Sequence, residues 1–215
     1  MLADANSEPA QPSVRARMTG AERRAAIVQA AIQLFSQKGF RGATTRELAS
    51  AVGVSEPVLY QHFATKRDLY DAIVDRLIAE TSATFLQSLE ELGEDYDDRA
   101  FFQWLGEQIV MWYTARTREV RLLLFSALEG HNLAQLWHEK AIASFLLWVE
   151  DYYRRRTLAG AFVPANAPLA ARAFIGMVAN YGQTTMLFPY TATGMPPKEV
   201  VSCMVGIYLD GVRTR

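Results

Sequence analysis

Residues 44–66 read TTRELASAVGVSEPVLYQHFATK, a stretch crowded with side chains that can read or grip a polyanion. Arg46 can give two parallel hydrogen bonds to guanine O6 and N7, and Gln61 can pair with the N6/N7 edge of adenine. Pro57 and Val58 offer apolar contact to a thymine methyl. Thr44, Thr45, Tyr60, His62 and Lys66 carry the hydroxyl, imidazole and ammonium hydrogens that phosphate oxygens accept. Such a set reads nothing unless it is held on one rigid face, so the spacing between its members matters as much as their types.

That spacing is helical. Thr44 and Glu47 stand at capping-box distance, so the Thr44 hydroxyl can accept a backbone N–H while Glu47 reaches back. Leu48 and Ala49 fall on the apolar side of the short helix that follows, and Gly53 stops it. Ser55 then opens a second helix as its N-cap, with Pro57 in the first turn, where a missing N–H costs little. Two short helices about a glycine-containing turn make a helix-turn-helix. With Leu59 and Phe63 facing inward, Pro57, Val58, Tyr60, Gln61 and His62 are left to point outward. A helix of that size fits the major groove, and its N-terminal residues reach base edges.

The elements that must hold this pair are legible on either side. Ile27, Ala30, Ala31, Leu34 and Phe35 form the apolar stripe of an amphipathic helix that closes at Lys38 and Gly39. Leu48, Ala49, Val52, Val54, Leu59 and Phe63 can pack against Ile27, Leu34 and Phe35 as a small core. Thr65 and Asp68 cap a further helix, which sets Lys66 beside a helix N-terminus, so that two positive ends can meet one phosphate.

Charge supports a polyanionic partner. The whole chain of 215 residues carries a formal net charge of −1, yet residues 14–67 hold nine basic side chains against Glu22, Glu47 and Glu56. That is +6 on the N-terminal module and −7 on the remainder.

The segment AAIQLFSQKGFRGATTRELASAVGVSEPVLYQHFATKRDLYDAI carries the pattern F…GF…TT…LA…GVS…LY.HF..K..L over about fifty residues. In this, residues 21–75 resemble the DNA-binding domain of the TetR (tetracycline repressor) family of bacterial regulators. The resemblance covers roughly the first third of the chain. It implies phosphate contacts at Thr45, Tyr60, His62 and Lys66, and base contacts at Arg46, Glu56, Pro57, Val58 and Gln61. Thr44 and Ser55, at the two helix starts, belong to the same face. Glu56 departs from the many relatives with a neutral or basic residue there; its carboxylate either accepts from a cytosine N4 or stays in solvent, away from phosphates.

Beyond residue 66 the pattern predicts six further helices, over about 66–91, 96–116, 118–129, 132–159, 167–188 and 197–213, separated by Gly-, Pro-, Asn- and Asp-rich breaks. The expected fold class is all-α: an N-terminal three-helix helix-turn-helix domain plus a larger C-terminal helical domain, about nine helices together. The organisation expected is a disordered tail over 1–18, a DNA-binding domain over 19–66, and a ligand-binding and dimerisation domain over 67–215. At about 26 residues the fourth helix would be about 39 Å long, enough to connect head and body.

The body is rich in aromatics, with all four tryptophans between residues 104 and 148. Trp104, Trp112, Phe125, Trp137, Phe145, Trp148 and Tyr181, with Met111 and Met177 as adaptable walls and His138, Asn180 and Gln183 as polar fixers, are the candidate lining of an apolar small-molecule site. Helical spacing explains several of the same rings as plain core. The family resemblance implies a ligand cavity here too. Small residues on the last helices but one, Ala173 and Gly176, with Met177 and Asn180, and the apolar stripe Val201, Met204, Val205 and Tyr208, suggest a two-fold four-helix interface. The resemblance implies a homodimer through these two helices.

Other chemistries find little support. His131 and His138 lie two turns apart, about 10 Å, too far to share one metal ion without further ligands. No nucleophile–base pair or glycine-rich phosphate loop is present, so neither an enzyme nor a cofactor is expected. Residues 173–197 hold no charge, but their Asn, Gln, Thr, Gly and Pro content fits a buried helix and loop rather than a bilayer span. Cys203 stands alone, which fits a reducing cytoplasm. These readings converge on a ligand-responsive transcriptional repressor that binds a near-palindromic double-stranded operator as a homodimer and is released by a small hydrophobic or aromatic effector. The alternative is a DNA-independent helical carrier of hydrophobic small molecules whose basic head docks protein.

Overall fold

The computed structural model describes residues 18–80, 97–191 and 194–214. The expected tail up to residue 17 and the expected helical stretch beyond residue 80 lie outside the described residues. The head is built from α1 (Gly20–Lys38), α2 (Thr45–Val52), α3 (Glu56–His62) and α4 (Lys66–Ala79). The body holds α5 (Asp98–Ala115), α6 (Thr117–Leu128), α7 (Asn132–Trp137), α8 (Ala143–Leu158), α9 (Ala167–Leu187) and α10 (Pro197–Val212). A π-helical turn, His138–Ile142, joins α7 to α8 without a break, so residues 132–158 form the one long helix the sequence predicts. Among the described residues there is no strand beyond one isolated bridge between Phe162 and Arg213. The all-α expectation holds.

Local chemistry sets the helix starts. Thr19, Thr44 and Thr65 each close a full capping box, with Glu22, Glu47 and Asp68 as the reciprocal partners. Ser55 occupies the N-cap position of α3 but makes no side-chain cap bond. Gly53 ends α2 in the left-handed conformation. Gly39 ends α1 with φ 69° and ψ −179°, a positive φ in an otherwise extended residue that swings the chain away from the helix axis. A Cβ on Gly39 would run into the Glu129 carboxylate, so this turn also lets the head lie against the end of α6.

Packing crosses the boundary drawn at residue 66. One apolar cluster joins Ile27, Leu48, Leu59, Phe63 and Ile73 of the head to Leu122, Leu133 and Leu136 of α6 and α7. Polar contacts reinforce that joint. The Glu129 carboxylate accepts from the Phe40 and Arg41 amides at 3.2 and 3.0 Å, and Arg121 Nε donates to the Ser36 carbonyl at 3.1 Å. The His131 ring stacks on Phe40 at 4.4 Å and meets the edge of Tyr70. Burial, aided by the Glu129 charge, raises the Tyr70 phenol to about 12.

The second cluster is the body's own, where α5, α9 and α10 meet α8 around Phe102, Tyr152, Phe174, Val178, Val201 and Val205. A Cβ on Gly106 would stand 2.6 Å from Val201 Cγ1, so the absence of a side chain there permits α10 to close on α5. Asp98, buried at the start of α5, ties that helix to α8. It accepts from the Tyr152 hydroxyl at 2.7 Å and from both Arg156 Nε and Nη2 at 2.7 and 2.9 Å.

Candidate nucleic-acid interface

Leu59, 3% exposed, and Phe63 anchor α3 from beneath. Ser55, Pro57, Tyr60 and Gln61 lie exposed on its outer side, with Val58 and His62 half-buried at the edges. Arg46 projects from the first turn of α2, exposed and without an ion pair among the described residues. Thr44 is exposed, and its hydroxyl is engaged with Glu47 in the capping box. Lys66, exposed, is the first residue of α4. The eleven side chains expected to contact nucleic acid thus come together across the outer side of α2, α3 and the start of α4.

Two features of this face were hidden in the sequence. The Thr45 hydroxyl donates to Glu56 Oε2 at 2.8 Å, so the carboxylate is held between the first residues of α2 and α3 rather than free in solvent. At the other end of α3, Arg24 Nη1 donates to the His62 carbonyl at 2.6 Å while its guanidinium lies 4.1 Å over the Phe63 ring. A cation at a helix C-terminus complements the negative end of its dipole. Arg24 sits 38 positions before its partner, and no local pattern announces such a contact. Lys38 stands in the last turn of α1, where a cation complements the helix dipole, and it also pairs with Glu47 at 2.6 Å. That hydrogen bond first, and the Thr44 amide second, lower the Glu47 carboxyl to about 2.

The residues expected to line a small-molecule site divide between the two clusters. Trp112, Phe125 and Trp137 pack against the head-side cluster, with the two indoles stacked at 5.7 Å. Trp104, Phe145, Trp148, Met177 and Tyr181 pack against the body cluster. Gln183 is half-buried, while Met111, His138 and Asn180 are exposed. Two hollows stand out among the described residues. One, of about 30 Å³, lies under the α2–α3 face; the other, about 500 Å³ and open, lies between the starts of α5 and α10. None of the twelve residues lines either of them. Aromatic spacing along a helix fixes which side is apolar but not whether that side meets a ligand or a neighbouring helix, and here neighbours occupy most of it.

The association surface needs a correction. Val201, Val205 and Tyr208 are buried in the chain's own core, and the Tyr208 hydroxyl donates to the Ala170 carbonyl at 3.0 Å. They pack on α5 and α9 and cannot face a second chain. Met204 is half-buried beside them. The outer side of α10 includes Cys203 and Ile207, the latter 66% exposed, with the exposed charges of Lys198, Glu199 and Asp210 toward its two ends. On α9, Ala173, Gly176 and Asn180 are exposed as expected, next to Leu169 at 65%, and Met177 is half-buried.

Fold and face together define a helix-turn-helix DNA-binding protein. Residues 27–73 match the model for bacterial regulatory proteins of the tetR family. The chain is 44% identical over 54 residues to the tetracycline repressor protein class A from transposon 1721 of Escherichia coli, a match covering 25% of each chain. It thus spans about a quarter of the length of that curated relative. Likeness over the full length is one of fold. A TetR-family regulator from Mesorhizobium loti aligns with a TM-score of 0.68 at 20% identity, covering 92% of this chain and 100% of that one. AibR in complex with isovaleryl coenzyme A and operator DNA aligns with a TM-score of 0.63 at 20% identity, covering 86% and 97%. Residues 27–73 thus carry the DNA-binding region of the tetR family of bacterial regulatory proteins, and the chain as a whole shares the fold of solved proteins of that kind.

Proposed function

We propose that the chain is a ligand-responsive repressor that binds a near-palindromic operator as a homodimer and is released by a small hydrophobic or aromatic effector. The observation that carries the reading is the two-sided character of α3: Leu59 and Phe63 buried beneath it, Pro57, Tyr60 and Gln61 exposed above it, with Arg46 and Lys66 on the same side. Two such heads on one duplex would occupy major grooves about 34–36 Å apart, or a multiple of that. The tetracycline repressor that the head resembles supports repression, and the neighbour bound to isovaleryl coenzyme A and operator DNA supports both classes of partner. Such a regulator acts in the cytoplasm, where it meets the chromosome. No described helix is long and apolar enough to cross a membrane.

The dimer surface that fits the packing is the exposed side of α9 and α10, with Leu169, Ala173, Gly176 and Asn180 on one helix and Cys203 and Ile207 on the other. For the effector, the half-buried rings of Trp104, Phe145, Trp148 and Tyr181, with Met177, offer an apolar lining that a ligand could enter by displacing side chains. A ligand preferring the conformation with badly spaced heads would weaken operator binding by that preference and no more.

Mobility shift of the purified chain on the DNA upstream of its own gene tests the reading. A shift that weakens steeply with salt is expected, and no shift at low ionic strength overturns it. Light scattering on Ile207→Lys combined with Leu169→Lys tests the interface: monomers of unchanged helix content are expected, and a persisting dimer refutes this surface. Thermal shifts across a panel of hydrophobic and aromatic compounds should find one that raises the melting temperature and reduces operator affinity together.

A further inference from the structure

We propose that Glu56 is a specificity-determining residue that selects a cytosine, and that Thr45 is the positioning residue that aims it. The inference deepens the operator-binding reading and rests on it. A threonine hydroxyl has a single hydrogen to donate. Here that hydrogen is committed to Glu56 Oε2 at 2.8 Å, so it is not on offer to a phosphate, the role that resemblance alone would give Thr45. The bond joins the first residue of α2 to the first residue of α3 and leaves both side chains half-buried. It therefore fixes the carboxylate at the N-terminal end of α3, the end from which groove-reading helices reach base edges.

A carboxylate held there can only accept. Its second oxygen, Oε1, has lone pairs for a cytosine N4–H₂, the pairing that Glu and Asp make in the major groove. Opposite guanine O6 or thymine O4 the same oxygen would face another acceptor and lose its water without replacement, so those bases are rejected as well as cytosine preferred. Ser55 makes no side-chain cap bond, so the positive end of the α3 dipole is left for Glu56 to complement, which further favours keeping the carboxylate in place. A carboxylate loose on a face that meets phosphates would swing away from them. The Thr45 bond opposes that swing.

The test is a double-variant cycle on duplexes selected by the wild-type chain from a randomised pool, with all four bases then placed at the position Glu56 reads. Glu56→Ala should lower the preference for cytosine there by roughly ten-fold. Glu56→Gln should move the preference from cytosine toward adenine, whose N6/N7 edge an amide matches. Thr45→Val should erase much of the cytosine preference in the wild-type background and change nothing in the Glu56→Ala background, while Thr45→Ser, which keeps the hydroxyl, should restore it. Circular dichroism of each variant checks that the head is folded. If Thr45→Val weakens binding equally to every sequence and in both backgrounds, Thr45 is a phosphate contact and the proposal is overturned. If Glu56→Gln leaves the base preference unchanged, Glu56 reads no base and the proposal is again overturned. A wild-type chain that selects no duplex at all overturns the regulator reading, and this inference with it.

Discussion

On the outer side of α2 and α3, Arg46, Gln61, Tyr60 and Lys66 lie in solvent over a small core that local caps hold in shape. In the body the strongest polar group, Asp98, is buried, and its carboxylate holds Tyr152 and Arg156 together among aromatic rings. Desolvation, with the Asp98 hydrogen bond second, pushes the Tyr152 phenol well above its ordinary range. The head keeps its charges where a partner can find them; the body uses its charge to fix helix against helix. Exposed polar groups in the first region should therefore govern binding with little effect on stability, and the buried pair in the second should do the reverse.

The largest effect expected from that contrast is at Asp98. Replacing it with alanine removes the carboxylate that the buried Tyr152 hydroxyl and the half-buried Arg156 guanidinium share, a change that costs up to about 3–5 kcal/mol when one partner of a buried pair is removed. Urea unfolding should show a midpoint lowered accordingly, whereas Arg46→Ala in the same assay should be nearly silent. A variant at Asp98 that unfolds like the parent would mean the buried charge contributes little, and the contrast between the two regions would fail at its strongest point.

The same contrast explains what could be read from the sequence. Thr44 with Glu47, Thr65 with Asp68, and Gly53 are signals within one turn of chain, and each became the cap it spelled. The outward set on α3 followed from Leu59 and Phe63 alone, since a short helix with one buried side must expose the other. What joins distant elements left no such trace. Glu129 reaches the Phe40 amide across 89 positions, and Asp98 reaches Arg156 across 58. The stripe Val201, Val205 and Tyr208 was legible as apolar, but periodicity names a buried side without naming what covers it, and the chain's own α5 and α9 cover it here. The aromatics of the body met the same limit, while Thr45 and Glu56, eleven positions apart on two helices, are joined only by the turn geometry between them.

A smaller and more selective effect separates two cations of the head. Arg46→Ala should reduce discrimination at one base pair by about 1–3 kcal/mol and leave other positions unchanged. Lys66→Ala should weaken binding to all sequences alike and reduce the salt slope by about one per lost contact. Titrations at several salt concentrations, on duplexes substituted one pair at a time, distinguish the two patterns. The same pattern from both variants would remove the division between base reading and phosphate gripping.

The smallest effect is the one most open to sharpening, because it depends on pH. Glu47 accepts from Lys38 Nζ at 2.6 Å and from the Thr44 amide at 3.0 Å, and these contacts lower its carboxyl from an ordinary 4.5 to about 2. A folded-state value below the unfolded one means that the unfolded chain takes up its proton first as the solution is acidified. The stabilisation is therefore fully present above pH 4.5 and drains away as the pH falls from 4.5 toward 2. Solvent screens this exposed group, so the contribution is modest, and salt should erode the Lys38 part of it further. Urea unfolding of the parent and of Glu47→Gln, compared at pH 7, 4 and 3, should show a stability difference that is largest at pH 7 and shrinks at each step down. A difference that stays constant across that range would mean the Glu47 carboxylate gains nothing from Lys38 and Thr44 in the folded state, and the start of α2 would then depend on the Thr44 hydroxyl alone.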